Sequence, residues 1–337
     1  MEGNYCYAVR ENGGGYLMNK HKPIKGPRSY TKKWFKVRSK SIGASEAAAC
    51  CGMSRWGQPL SVYQSKSAPD ESHKSKDEFI IGHLLESGIL DGFQMKMGGT
   101  MQKGVPMLIH PVYPWMVATP DALWASRECK QSEIMSGDYF PVDAKTSRHS
   151  HEWGEENTDD IPQEYVFQAQ QQMEVTGASE CHIPVLLFGS GTIKIYRVNR
   201  SVHLMQHILS AEREMMERLE NREPPEANWS HPGALQLMKD MYDVKEEAVE
   251  LGVMGRNLWD ELEVFRSQKN ALEKKIEGNK ARILEVMKDA AAGMLPDGRV
   301  IRRKKVNRAS VTIPATSYVR MTCTKSNKES ENAGNEH

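Results

Sequence analysis

The chain has few cysteines and none in a metal-ligating pattern. Cys6, Cys50, Cys51, Cys129, Cys181 and Cys323 are scattered, with no C-x-x-C pair. That spacing argues against a zinc site and suits reduced thiols in a cytosolic protein. No G-x-x-x-x-G-K-[ST] segment is present, so ATP use is not expected. No apolar run is long enough to span a bilayer, and no membrane partner is expected. Met1 to Arg10 lacks an apolar leader core, so secretion is not expected either. An excess of one charge is also missing: 45 Lys and Arg against 44 Asp and Glu leave +1 over 337 residues. A polyanionic partner would have to be met by local positive charge.

Such local charge exists near the start. Residues 1–35 lack apolar periodicity, contain Gly13-Gly14-Gly15 and Gly26-Pro27, and read as a basic, flexible extension. From Lys20 to Lys40 there is no acidic residue, and Tyr30, Trp34 and Phe35 are interleaved with the bases. This pattern fits a phosphate-backbone contact and fits a solvated tail equally well. In Ser41-Ile42-Gly43-Ala44-Ser45-Glu46, Ser45 reads as the N-cap of an alanine-rich helix. The free N–H groups of that helix start, with Arg38 just upstream, make a candidate anion site.

Residues 75–94 read as a helix with Ile80, Leu84, Leu85 and Ile89 on one stripe. Glu86 sits beside that stripe, as either a surface carboxylate or one aimed at a site. Three β-like runs follow: Val105 to His110, Trp115 to Ala122 and Tyr139 to Thr146. Asp121 ends the second run. In the third, Asp143 and Lys145 alternate with Val142 and Ala144, so both charges project to one face. Charge at strand ends is costly without an occupant, and oxygen ligands of this kind suit Mg²⁺. Residues 126–137 read as a long hairpin loop. Residues 147–160 form a polar loop that either gates a site or is plain surface. A helix then opens at Pro162 and ends at Gly177, with Tyr165, Gln168 and Gln172 on one side. His182 to Phe188 and Thr192 to Val198 form a hairpin. The order implies an α/β fold with a mixed central sheet flanked by helices.

Val202 to Glu220 is a further helix, and Pro224-Pro225 marks a boundary. Leu235 to Leu251 and Leu258 to Met287 read as two long charged helices, hence a helical hairpin or coiled coil. A turn at Pro296-Asp297-Gly298 precedes a basic strand, and residues 325–337 read as a disordered tail. The expected organisation is an extension (1–35), a core domain (36–228), a helical hairpin or coiled coil (229–293), and a basic strand with tail (294–337).

Taken together, these residues carry a family resemblance. From Arg38 to Val198 the chain resembles the YqaJ-type viral recombinase and lambda-exonuclease family of PD-(D/E)xK nucleases. The resemblance rests on Arg38…Ile42-Gly43-Ala44-Ser45-Glu46, Gly82…Leu85-Glu86, His110-Pro111 and Ala118-Thr119-Pro120-Asp121. It continues through Asp143-Ala144-Lys145-Thr146, Trp153 and Ile161-Pro162…Tyr165…Gln168-Ala169-Gln170-Gln171-Gln172-Met173. It implies a restriction-endonuclease-like core and a two-metal 5′→3′ exonuclease on duplex DNA ends, independent of ATP and serving phage-type recombination. Asp121, Asp143, the Ala144 carbonyl and Glu86 would hold Mg²⁺ or Mn²⁺. Lys145 would orient the attacking water, and Gln168 and Tyr165 would position the substrate. Arg38 and Ser45 would hold a 5′-phosphate. The resemblance also implies a single-strand annealing partner, a homotrimer, and residence in the cytoplasm of a bacterial host as a phage or prophage protein. Asp143 departs from this branch, which more often shows Glu-x-Lys. His110 reads as a strand-end histidine, with metal ligation, as in RecB-like relatives, the other reading. Two alternatives share the fold: a RecB-like or restriction-type endonuclease, and a non-catalytic DNA-end-binding scaffold.

Overall fold

The computed structural model describes residues 21–29, 31–67, 77–242, 244–246 and 248–305, without the side chains of 77–80. The chain divides into two compact units, one through Lys245 and the other from Glu246. The division falls later than the expected boundary after residue 228.

The first unit begins with strand β1 (Ile24–Lys25) and helix α1 (Lys32–Arg38). The expectation of a flexible extension to residue 35 is corrected here: β1 pairs antiparallel with β4 (Leu108–Ile109). Residues 1–20 of that extension lie outside the described residues. After β2 (Ile42–Gly43) come α2 (Ala47–Cys50), α3 (Pro59–Ser67), α4 (Asp77–Met97) and β3 (Thr100–Lys103). β5 (Met116–Ala118) completes a small sheet ordered β1-β4-β5-β2.

The main sheet contains β3, β6 (Ala122–Ala125), β7 (Phe140–Val142), β8 (Lys145–Ser147), β9 (Glu180–Leu187) and β10 (Thr192–Asn199). Its order is β10-β9-β7-β6-β3, with β8 also on β9. β7 and β8 run parallel to β9, while β3–β6, β6–β7 and β9–β10 are antiparallel. The sheet is mixed, as expected. The single strand expected over 115–122 is instead two, β5 and β6, lying in different sheets. Pro120 stands at the break, having no N–H to give a ladder.

α4 covers one face of the main sheet, where Leu90 and Phe93 pack with Ala122, Trp124, Val142 and Ile195. α5 (Gln163–Thr176) covers the other, where Ala169 and Met173 meet Cys181, Ile183, Val185 and Leu187. The alternation of Cys181, Ile183 and Val185 toward α5 is the period of two of a strand buried on both faces. Gly177 ends α5 with φ 73°, a left-handed conformation that costs glycine nothing. Pro162 lies one residue before the first helical residue. α6 (Val202–Asn221) is capped by the Ser201 hydroxyl, which accepts from the Leu204 N–H at 3.3 Å.

The expected pair of long C-terminal helices is corrected. α7 (Ala234–Met241) is only eight residues long, and the described residues from 242 to 251 are not helical. In the second unit, α8 (Gly252–Met287) is one helix of 36 residues. β11 (Ala292–Met294) and β12 (Val300–Arg302) form a two-stranded antiparallel sheet after it, and the expected basic strand corresponds to β12. Arg308 and the tail at 325–337 lie outside the described residues. Among the described residues, Cys50, Cys51, Cys129 and Cys181 are free, and no helix is long and apolar enough to cross a membrane.

Candidate active site

The antiparallel pairing of β6 and β7 fixes the centre. Ala122 is opposite Val142. Asp121 immediately precedes the one and Asp143 immediately follows the other, so the acids flank the same end of two adjacent strands. Between β7 and β8 the ladder is interrupted. The Asp143 N–H still donates to the His182 carbonyl at 3.0 Å, but the Ala144 N–H donates to Asp121 Oδ2 at 2.7 Å. The break therefore joins the two acid-bearing segments.

Asp143 is buried, and three side chains serve it. Gln168 Nε2 and Gln172 Nε2 donate to its Oδ1 at 3.0 and 2.9 Å, and Lys145 Nζ pairs with Oδ2. Lys145 also lies 5.0 Å from the centroid of Tyr165. Burial works against the Lys145 charge, but Asp143 and Asp121 outweigh it and raise its pKa. Burial and then Asp143 push the Asp121 carboxyl well above its ordinary range, Glu86 adds to this, and Lys145 offsets part of it. Glu86 reaches the site electrostatically from α4, the helix on the opposite face from α5. Its Oε2 lies 3.3 Å from His83 Nδ1.

The donors here are all oxygens, which fits a hard divalent cation. Buried carboxylates with Lys145 as close counter-charge carry a surplus of negative charge that such a cation would offset. Among the described residues, no group of three or more His, Cys, Asp or Glu gathers so as to hold a metal by itself.

Arg38 and Ser45 are brought together: Arg38 Nη2 donates to Ser45 Oγ at 3.0 Å. Ser45 is not an N-cap, as the sequence suggested, but lies inside a single 3₁₀ turn, Ala44–Glu46. Glu46 instead reaches back to accept from the Gly43 N–H at 2.8 Å. It also pairs with Arg38 at 3.2 Å and Lys66 at 2.8 Å. Burial alone would raise the Glu46 carboxyl, but Arg38 and Lys66 hold it below its ordinary value. The Arg38 guanidinium lies over Gly43, where a Cβ would come 1.5 Å from Nη1. α5 links this corner to the acids: Gln171 Nε2 donates to the carbonyls of Ile42 and Val117 at 3.0 and 3.2 Å.

His110 stands apart from the acids. Its Nδ1 accepts the N–H groups of Val112 and Tyr113 at 3.1 and 2.9 Å, and its Nε2 faces Glu174 at 3.5 Å. The ring thus lies between the β4–β5 turn, which Nδ1 holds, and α5, which Nε2 faces.

Gln172 is the contact to Asp143 that the sequence left out of the candidate set. Its signal was its position four residues after Gln168 on the same helical face. Lys66 gave no signal, since it meets Glu46 only through the packing of α3.

Acids at the shared end of paired central strands, a lysine two residues on, and a glutamine-bearing helix across one face define an α/β domain built around a buried acid–lysine site. Residues 33–179 match the family model of the YqaJ-like viral recombinase domain. The chain is similar to the protein YqaJ of Bacillus subtilis (strain 168), with 24% identity over 271 residues, 78% of this chain and 80% of that one. Among solved structures it is similar to an alkaline exonuclease (LHK-Exo) from Laribacter hongkongensis. The identity is 19%, with 57% of this chain and 94% of that chain covered, and the TM-score is 0.46. The same exonuclease in complex with dAMP gives 20% identity, coverage of 57% and 94%, and a TM-score of 0.47. A phage-related exonuclease from Haemophilus somnus 129PT gives 12% identity, coverage of 56% and 98%, and a TM-score of 0.40.

Proposed function

We propose that this protein is a metal-dependent, ATP-independent deoxyribonuclease with a PD-(D/E)xK core. It would digest duplex DNA 5′→3′ from an end and leave a 3′ single strand for annealing-type recombination. The observation that carries this reading is the placement of Asp121 and Asp143 on either side of the Ala122–Val142 pair, with Lys145 ion-paired to the second acid.

Asp121, Asp143, the Ala144 carbonyl and Glu86 are the groups that would hold Mg²⁺, or Mn²⁺ in its place. Such ions, when bound, lower the pKa of water and neutralise a leaving oxygen. Gln168 and Gln172 hold the Asp143 carboxylate in one orientation. Lys145 keeps its proton beside two carboxylates, so it acts as a cation and not as a base. It orients the attacking water and offsets charge developing on the scissile phosphate. Tyr165 sets the Lys145 ammonium from its ring side. Arg38 offers a fork of N–H donors suited to a terminal phosphate, with the Ser45 hydroxyl beside it. A 5′-phosphate held there would fix the register of cleavage. A single-strand annealing partner, a homotrimer and a phage or prophage setting in bacterial cytoplasm belong to the same reading.

The test is digestion of a linear duplex with a 5′-phosphate, the same duplex with a 5′-hydroxyl, and a closed circular duplex, each with Mg²⁺. Preference for the 5′-phosphorylated linear duplex and an intact circle are expected. Cutting of the circle would establish the endonuclease reading instead. An intact linear duplex would leave end binding without catalysis.

A further inference from the structure

Trp56 is 61% exposed, on the loop between α2 and α3. Its loop is nonetheless pinned. The Arg55 N–H and Nε both donate to Glu164 Oε1, at 3.1 and 2.8 Å, and Arg55 Nη1 donates to Glu152 Oε1 at 2.8 Å. His231 Nε2 lies 2.9 Å from the Ser54 carbonyl, and the Trp56 N–H donates to Ser54 Oγ at 3.0 Å. A large aromatic face held rigidly in water forgoes hydrophobic stabilisation that only a bound partner would recover.

Its neighbours lead inward to the acid site. The Trp56 ring is 5.6 Å from that of Tyr165, which stacks on Trp153 at 5.5 Å and lies under Lys145 Nζ at 5.0 Å. The aromatic series thus begins at Lys145 and ends in solvent at Trp56. Arg55 lies 5.2 Å from the Trp56 ring, but Glu152 and Glu164 already pair its charge. What Trp56 itself adds is an aromatic plane, which carries no charge for a phosphate.

We propose that Trp56 is a base-stacking residue that receives the open face of a base at a DNA end, beside the centre formed by Asp121, Asp143 and Lys145. This rests on the reading of the protein as a DNA nuclease. Every base has a π face, so stacking tolerates any sequence. Inside a duplex both faces of each base are covered, whereas an end leaves one open. Trp56 thus gives the site a means of recognising ends that is independent of the 5′-phosphate.

Equilibrium binding in EDTA tests this without any cleavage, using a blunt 5′-phosphorylated duplex oligonucleotide and a closed circular duplex. Trp56→Ala and Trp56→Leu should weaken oligonucleotide binding by roughly five- to a hundred-fold, and Trp56→Tyr should retain most of it. Binding to the circle should not change. The loss should be similar at low and high salt, because no phosphate contact is removed. Unchanged end binding in both Trp56→Ala and Trp56→Leu would overturn the proposal, as would an equal loss on ends and circles. A change in sedimentation with unaltered DNA affinity would also overturn it, since the face would then belong to a second copy of the chain. If the wild type binds ends tightly through Trp56 yet cleaves nothing with Mg²⁺, the nuclease reading fails and the stacking residue stands. If the wild type cleaves and the variants bind normally, only the stacking residue fails.

Discussion

The Ala144 backbone amide donates to Asp121 Oδ2 at 2.7 Å, across the end of the β6–β7 pair. One hydrogen bond thus holds the first acid against the backbone that carries the second. It also keeps Asp121 in a buried place beside Asp143, where its ionised form is disfavoured.

That disfavour has a sign. A carboxyl whose folded pKa is raised contributes full stability below its unfolded pKa and loses it as pH rises through the folded value. At neutral pH, Asp121→Asn relieves the repulsion while keeping an acceptor for the Ala144 amide. In EDTA the variant should melt a few degrees above the wild type, at about 2–4 °C per kcal/mol for a domain of this size. Mg²⁺ should raise the wild-type Tm by mass action and leave Asp121→Asn nearly unmoved. Thermal denaturation with and without Mg²⁺ measures both effects.

Gln168 and Gln172 share one acceptor atom on Asp143. Gln172 is buried and Gln168 is half-buried, so their losses should differ in kind. Gln172→Ala should cost about 1–3 kcal/mol of stability by leaving buried polar atoms unpaired, together with a slower cleavage step. Gln168→Ala should slow single-turnover cleavage with a smaller change in denaturant midpoint. The double variant should be non-additive, because both amides orient the same carboxylate.

Gly43→Ala places a Cβ against the Arg38 guanidinium. The backbone there has φ −88°, so alanine adds no backbone strain and the effect is steric. Arg38 must move, and its hydrogen bond to Ser45 with it. Discrimination between 5′-phosphorylated and 5′-hydroxyl duplex should fall about as far as in Arg38→Ala. Cleavage of the 5′-hydroxyl duplex should hold near the wild-type rate. Steady-state rates on the two duplexes give the comparison.

Glu212 is fully buried on α6, with neither carboxylate oxygen hydrogen-bonded. Burial, with Glu46 adding, pushes its pKa well above the ordinary range, and Lys66 offsets part of that. Its protonated form favours the fold, so this contribution is lost as pH rises through the raised value. Glu212→Gln should match the wild type at pH below the ordinary carboxylate range. It should gain on the wild type as pH rises, by about 1–3 kcal/mol once Glu212 would otherwise ionise. Denaturant melts across pH follow the gap.

Much of the centre is legible along the chain because strand and helix periods place residues simply. Asp143 and Lys145 share a face by the period of two, and Gln168 and Gln172 share one by the period of 3.6. The hairpin of β9 and β10 and the glycine end of α5 are equally local. Less legible is what depends on distant packing. β3 is a short strand whose Gln102 and Lys103 gave no apolar alternation. The division between β5 and β6 was hidden in one apolar run, although Pro120 marked it. β1 lies in a basic stretch whose pairing with β4 no local pattern encodes. Among the described residues, the charged helix expected over 235–251 stops at Met241, because propensity alone does not hold an unpacked helix. Lys66 and Trp56 act singly, and a single residue has no period to read.

Hydrolysis of a linear 5′-phosphorylated duplex with Mg²⁺ by the wild type, Asp121→Asn and Lys145→Ala tests the central claim most directly. The wild type should digest the duplex. Each variant should be slower by at least about a thousand-fold, because several kcal/mol of charge stabilisation is removed. A wild-type protein that leaves the duplex intact, or an Asp121→Asn protein that digests it at the wild-type rate, would contradict a nuclease centre built on these residues.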